Sequence, residues 1–319
     1  MSPFSNCSLQ SIQEAALALY KGNLVAFPTE TVYGLGADAT NEKAISRVYE
    51  VKARPLGHPL IVHISDILLL GKWASNISEN AIKLARAFWP GPMTLVLPRT
   101  DLAKDFITGS QDNVALRIPS HPVALELLKE FEKQGGFGVA APSANRFGKL
   151  SPTTSVAVEI ELGKFLSNVD QILDGGASKV GVESTIIDCT SWLPVILRPG
   201  AVTKEMIEEV LDIELGLVSA SNKEIKVSGM LAAHYSPNAK VNLSGVPSPG
   251  DGYIALSNLP TPAGAIRLAS PKDYEEYAQI LYESLRSADT KGLNNVFVVP
   301  PHNQGVGVAI NDRLGKAAK

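Results

Sequence analysis

Short apolar runs of strand length, alternating with stretches whose apolar residues recur at helical spacing, restrict this chain to an α/β architecture. LVAF at 24–27, LIVHI at 60–64, MTLVLP at 93–98, NVALRIP at 113–119, GVAAP at 138–142, ESTIIDC at 183–189 and PVILRP at 194–199 read as strands. Residues 9–21 are apolar at helical spacing and stopped by Gly22. Residues 41–53 follow a capping Thr40 or Asn41, and Pro55 closes them by removing a backbone donor. Strands and helices alternate without strict βαβ regularity, so a mixed sheet flanked by helices is expected rather than a wholly parallel one.

Residues 204–213 read as one further helix, and the polar stretch SASNKEIKVSGM at 219–230 then breaks the pattern as a linker. Beyond it, strands at 253–256 and 295–301 with a helix at 272–287 between them predict a second, smaller α/β unit. The expected division is 1–205 for the large domain, 206–239 for a helix and linker, and 240–319 for the small domain. A length of 319 residues agrees with two domains, and 45% apolar composition supplies a core for each. A formal net charge of −3 with 19% charged residues argues against a constitutive polyanion binder, so any nucleic-acid contact must rest on a local patch. The start has no basic leader with an apolar core, and no run of about 18 apolar residues follows, so a cytoplasmic protein with no membrane association is expected. Cys7 and Cys189 are the only cysteines, which supports neither a disulfide framework nor a structural zinc site.

Gly34-Leu-Gly36-Ala-Asp-Ala39 matches the GxGxxA dinucleotide pattern, but six residues, Pro28 to Tyr33, separate it from the preceding strand. That fingerprint needs a tight strand-to-helix turn, so these glycines are expected instead to let backbone approach a ligand or a neighbouring strand. Lys52-Ala-Arg54-Pro55, with His58 and His63, places four donors within twelve residues. Lys offers a point charge and Arg a planar fork, the pair that phosphates favour. Taken alone, Lys52 and Arg54 are better explained as complements to the negative helix C-terminus, His63 as a hydrogen-bonded core residue, and Thr29-Glu30-Thr31 as a turn cap. The rest of the chain shifts that balance. Arg117, Pro142-Ser143-Ala144-Asn145, Ser151-Pro152-Thr153, Gly181-Val-Glu-Ser184-Thr185 and Arg198-Pro199-Gly200 all fall at strand ends or adjacent turns. Buried arginines at 117 and 198 would need paired carboxylates that their immediate neighbours do not supply. The set reads as a pocket for nucleotide phosphates and a small anionic partner.

FPTETVYGLGADA, KxRPxxHPLIVH, FWPGPMTLVL, VALRIPSHP, AAPSANRFGKLSPT, GVESTIID and ILRPGAVT occur in that order, followed by SGMLAAHYSPNAKV and a terminal NDRLGKAA. In these motifs the chain resembles the threonylcarbamoyl-AMP synthase family in its long form, a YrdC-like domain over roughly 9–205 plus the family's C-terminal domain. The resemblance implies a YrdC-like twisted mixed sheet and a nucleotidyl transfer. L-threonine and bicarbonate give N-carboxy-threonine, which attacks the α-phosphate of ATP, with Mg2+ accompanying the ATP. Pyrophosphate leaves, and the threonylcarbamoyl adenylate passes to the tRNA threonylcarbamoyl transferase machinery that modifies adenosine 37. By family position, threonine meets Thr31, His63, Arg117, the backbone at Ala141 and Ser184. The nucleotide meets Lys52, Arg54, His58, Asn113, Ser143, Ser151, Arg198 and Tyr235, with Lys52 and Arg54 as the catalytic pair and no protein metal ligand. The attacking group is the substrate itself, so no protein nucleophile is needed. Tyr235 reads either as a docking contact or as part of a lid that excludes water from the anhydride.

Two other classes remain open at this stage. A double-stranded RNA binder would show salt-sensitive RNA affinity without ATP consumption, and weak RNA binding is also compatible with the synthase. A carbamoyltransferase accessory enzyme would carry additional acylphosphatase-like and zinc-finger segments, against which two distant cysteines argue.

Overall fold

The computed structural model describes residues 6–215, 225–229 and 235–319. The first apolar runs become β1 (Val25–Phe27), β2 (Gly34–Asp38), β3 (Ile61–His63), β4 (Met93–Pro98), β5 (Asn113–Arg117), β6 (Val139–Ala140), β7 (Gln171–Ile172), β8 (Thr185–Asp188) and β9 (Val195–Arg198). They make one sheet of order β7-β1-β2-β6-β3-β5-β4-β8-β9. Parallel pairs β1–β7, β3–β5 and β4–β8 stand beside antiparallel β1–β2, β2–β6, β3–β6, β4–β5 and β8–β9, so the sheet is mixed as expected.

The GLGAD run is strand β2, paired antiparallel with β1 and β6. A Cβ at Gly36 would lie 2.7 Å from Val139 Cγ1 and 2.8 Å from the Phe27 ring, so glycine here permits close sheet packing rather than a dinucleotide turn.

Among the described residues, eight α-helices accompany this sheet: α1 (Leu9–Tyr20), α2 (Glu42–Lys52), α3 (Leu70–Trp73), α4 (Glu79–Phe88), α5 (Asp105–Thr108), α6 (Pro122–Lys133), α7 (Ser155–Leu162) and α8 (Lys204–Leu211). Asn41 caps α2 by accepting from Ala44 N–H, and Ala53 ends it in the left-handed region at φ 49°. That turn directs Arg54 away from the helix axis.

Side-chain alternation divides the sheet into two faces. Val62, Leu95 and Leu116 face a core completed by Tyr49, Trp73, Leu84 and Ile207. On the opposite face, Val25, Phe27, Val139 and Ala141 share a core with residues of α1 and α6, among them Ile12, Leu19, Leu127 and Phe131. Further along that face, Ile61, Val96, Ala115 and Ile186 pack against Val227 of the 225–229 segment. That stretch of sheet lies next to the candidate site.

The second unit is an all-parallel sheet of β10 (Lys240–Asn242), β11 (Gly252–Ile254), β12 (Ile266–Ala269) and β13 (Asn295–Val298), ordered β10-β13-β11-β12. It carries α9 (Tyr274–Thr290) and α10 (Gly307–Ala317). Its core of Tyr277, Leu281, Leu285, Ile310 and Leu314 also takes in Val32, Leu150 and Val182 from the large unit, so the two units share a core. Gly181 makes that contact possible. Its φ is +82°, and a Cβ there would come 2.2 Å from the Ala278 carbonyl oxygen of α9. Of the predicted linker at 219–230, residues 219–224 and 230 lie outside the described residues, as do 231–234.

Candidate active site

The loop leaving β1 folds back on itself through side-chain hydrogen bonds. Thr29 Oγ1 donates to the Val32 carbonyl at 2.6 Å and accepts from the Thr31 and Val32 N–H groups at 3.2 Å. Because Thr29 has one proton, the 2.7 Å contact between the two hydroxyls is donated by Thr31, which keeps lone pairs as acceptors. Between these threonines, Glu30 reaches Arg117 of β5: Nη2 donates to Oε1 at 2.7 Å, and Ser120 N–H donates to Oε2 at 3.0 Å. The carboxylate that Arg117 lacks among its sequence neighbours thus comes from 87 residues away.

Parallel pairing of β3 and β5 sets His63 opposite Arg117. Burial, reinforced by the Arg117 charge, holds the His63 imidazolium down at about 3, so the ring is neutral. Its Nδ1 is buried and has no hydrogen-bond partner, an orphan that a ligand would satisfy. Phe27 meets the ring edge-on at 5.9 Å. Ser184 lies just before β8, its hydroxyl 2.7 Å from that of Thr94 on β4. Ala141 N–H is engaged by the Ile61 carbonyl at 3.0 Å, which leaves the Ala141 carbonyl for a ligand.

Two buried guanidiniums also line the cavity. Arg198 of β9 donates to the Ser184 carbonyl from Nε at 3.1 Å and Nη2 at 2.9 Å, and to the Ser228 carbonyl at 3.0 Å. Arg54 donates to the Pro59 carbonyl at 3.1 Å and to Ser228 Oγ at 3.2 Å, and lies 5.8 Å from the centre of the Phe147 ring. These residues bound a cavity of about 50 Å³, together with Gly229 and Tyr235. This is well below the ~300 Å³ at which small-molecule pockets begin. A nucleotide therefore needs Ser228 to move off both arginines.

Thr31, Arg54, His63, Arg117, Ala141, Ser143, Ser184, Arg198 and Tyr235 line this one cavity. Asn113 lines a smaller neighbouring cavity with Ile61, Ala115, Ile186 and Ser228. His58 stands at its edge-to-face contact with Phe147, 5.6 Å between ring centres, and outside the cavity wall. Lys52 is also outside the wall: its buried ammonium donates to the carbonyls of Ser143 and Asn145 and so fixes the loop that carries Ser143. Ser151 is buried behind the wall, donating to Glu183 Oε1 at 2.5 Å.

Two family models account for nearly the whole chain. One, described as telomere recombination, matches residues 17–200, and the other, described as the C-terminal domain of threonylcarbamoyl-AMP synthase, matches residues 202–319. Threonylcarbamoyl-AMP synthase of Pyrococcus abyssi is 38% identical over 96% of this chain and 94% of its own. That of Bacillus subtilis is 39% identical over 96% and 92%. The chain belongs to the threonylcarbamoyl-AMP synthase family. Among solved structures, P. abyssi Sua5 complexed with L-threonine superposes with a TM-score of 0.86 at 37% identity, covering 98% of this chain and 96% of that one.

Within this family member, Glu30, Glu183, Ser228, Tyr282 and Arg313 belong to the site's hydrogen-bond network, and sequence reasoning gave none of them a site role. Glu183 was visible inside the GVEST motif, and Arg313 inside the terminal NDRLGKAA. Their meeting was not. Among the described residues no group of three or more His, Cys, Asp or Glu is placed to hold a metal ion. The cavity's two nearby carboxylates are each tied to an arginine, Glu30 to Arg117 and Glu183 to Arg313. These residues do not fit a resident metal. Among the described residues no helix is long and apolar enough to cross a membrane.

Proposed function

We propose that this chain is an L-threonylcarbamoyladenylate synthase, a nucleotidyltransferase that condenses L-threonine, bicarbonate and ATP into threonylcarbamoyl-AMP, pyrophosphate and water, the water leaving as the threonine amine and bicarbonate form the carbamate. The observation that carries the reading is the convergence of two unlike sets of side chains on one cavity, Thr31, neutral His63 and Arg117 with the guanidiniums of Arg54 and Arg198, Ser184 being hydrogen-bonded to Arg198. Arg117 is the fork for the threonine carboxylate, and Thr31, His63, Ser184 and the Ala141 carbonyl surround the rest of the amino acid. A carbamate oxygen of N-carboxy-threonine forms the new bond to the α-phosphorus. The bond from that phosphorus to the bridging β-oxygen breaks, and pyrophosphate leaves with the electron pair. Arg54 and Arg198 neutralise the charge that develops on the phosphates in a site largely shielded from water. His58, Asn113, Ser143, Ser151 and Tyr235 complete the nucleotide side. Lys52 acts by holding Ser143 in place, and Mg2+ enters as the counter-ion of the ATP substrate. Residues 225–229 and Tyr235 form the lid, which opens for nucleotide and then shields the mixed anhydride from hydrolysis. The adenylate serves tRNA threonylcarbamoylation in the cytoplasm.

The test is pyrophosphate release from ATP with threonine and bicarbonate each omitted in turn. Release is expected only with both present, and release indifferent to both would overturn the reading. Arg54→Ala is expected to abolish release while melting cooperatively.

A further inference from the structure

Among the described residues Glu183 is the one acidic side chain on the cavity wall, and most of its hydrogen bonds come from the C-terminal unit. Arg313 of α10 donates from Nε to Oε2 at 2.8 Å. The Tyr282 hydroxyl of α9 lies 2.9 Å from Oε2 and 3.1 Å from Oε1. Ser151 supplies the remaining bond. The nearest cation of the large unit, Arg198, directs its donors to Ser184 and Ser228 instead. Burial alone would push the Glu183 carboxyl up, but Arg313 and Arg198 with Ser151 hold it down at about 2, so it is a carboxylate throughout the physiological range. The same two C-terminal side chains flank Tyr235: the Arg313 guanidinium lies 5.5 Å from the ring centre and the Tyr282 ring 5.6 Å. Tyr235 itself has φ +64°, a conformation that packing on both sides can sustain.

We infer that Arg313 and Tyr282 of the C-terminal unit are positioning residues of the nucleotide side of the site, acting through Glu183 and Tyr235; this rests on the function proposed above. Docking of the C-terminal unit is thereby read out at two points, Ser151 through Glu183 and the ring of Tyr235. The side-chain partners of Thr31 and Arg117, in contrast, lie in the large unit. The contacts of Arg313 and Tyr282 therefore bear on how ATP is held and not on threonine affinity.

The interface offers variants that spare the fold. Arg286 pairs with Glu161 at 2.7 Å, and Thr153 donates to Glu283 at 3.2 Å, so docking does not depend on Glu183 alone. Tyr282→Phe keeps the ring beside Tyr235 and removes only the hydroxyl on Glu183. Arg313→Met removes the counter-charge, and Arg313→Lys returns a charge without the fork. Pyrophosphate release is measured against ATP concentration, L-threonine affinity by calorimetry, and folding by thermal melting. Tyr282→Phe is expected to raise the KM for ATP about 5-fold and Arg313→Met about 30-fold or more, as loss of hydrogen bonds to a buried charge implies. Arg313→Lys is expected to recover part of the loss, with threonine affinity within about 2-fold of wild type throughout. An unchanged KM for ATP in folded Tyr282→Phe and Arg313→Met proteins overturns the inference, and so does a parallel loss of threonine affinity. Should Arg313→Met fail to melt cooperatively, Tyr282→Phe decides. The wild-type control separates the two levels: if its release ignores threonine and bicarbonate, the function itself is wrong, whereas unaltered variants beside a substrate-dependent wild type reject only the positioning role.

Discussion

Replacing Glu30 by Gln removes one charge from a buried ion pair and leaves the other. The Arg117 and Glu30 side chains are 5% and 9% exposed and meet at 2.7 Å, so water does little to relieve an unpaired guanidinium. Breaking such a pair costs about 3–5 kcal/mol. The glutamine keeps an amide oxygen able to accept from Ser120 N–H or Arg117, which argues for the low end, about 3 kcal/mol. For a unit of this size that corresponds to a fall in melting temperature of about 6–12 °C. The double variant Glu30→Gln/Arg117→Met has no unpaired charge, and buried pairs replaced by neutral groups of similar volume are often tolerated. It is expected to regain most of the lost melting temperature and to remain inactive, because the fork for the threonine carboxylate is gone. Thermal and urea unfolding of wild type, both single variants and the double variant complete the cycle. A single variant melting within 2 °C of wild type, or a double variant no more stable than the single, would refute the reasoning.

His63 gives a pH prediction. Its folded value near 3 lies below the ordinary 6.5, so the unfolded chain binds the proton first, and stability present above pH 6.5 is lost as pH falls toward 3. The expected slope from this residue is about 1.4 kcal/mol per pH unit. His63→Gln should flatten the fall in urea midpoint between pH 6.5 and 4.5, and an equally steep fall in the variant counts against a buried neutral imidazole. Gly181→Ala forces a Cβ to 2.2 Å from the Ala278 carbonyl in a left-handed conformation. A loss of about 2–4 kcal/mol in unfolding free energy is expected from overpacking and backbone strain together, and melting unchanged from wild type would show that α9 gives way freely.

Four strands at the site were legible because each is an apolar run almost wholly buried in the sheet: β3, β4, β5 and β8 lie within or at the ends of the predicted segments. The missed strands have local reasons. β7, β10 and β12 are short edge strands, half exposed, so their residues need not be apolar. β2 was not read as a strand because two of its residues are glycines, demanded by the close approach of side chains such as Phe27 and Val139 from the neighbouring strands. Sequence by itself determined the alternating α/β pattern, the capped start of the second helix at Thr40 or Asn41, and the ordered motifs that carry the family, all of them properties of contiguous residues. Only the tertiary structure decided which charge answers which. Glu30 neutralises Arg117, Arg313 crosses between units to Glu183, and Lys52 turns away from the cavity to hold a backbone loop. A buried charge must find a partner, but the Coulomb energy that selects the partner depends on distance through space, and chain separations of 87 and 130 residues leave no local trace of it.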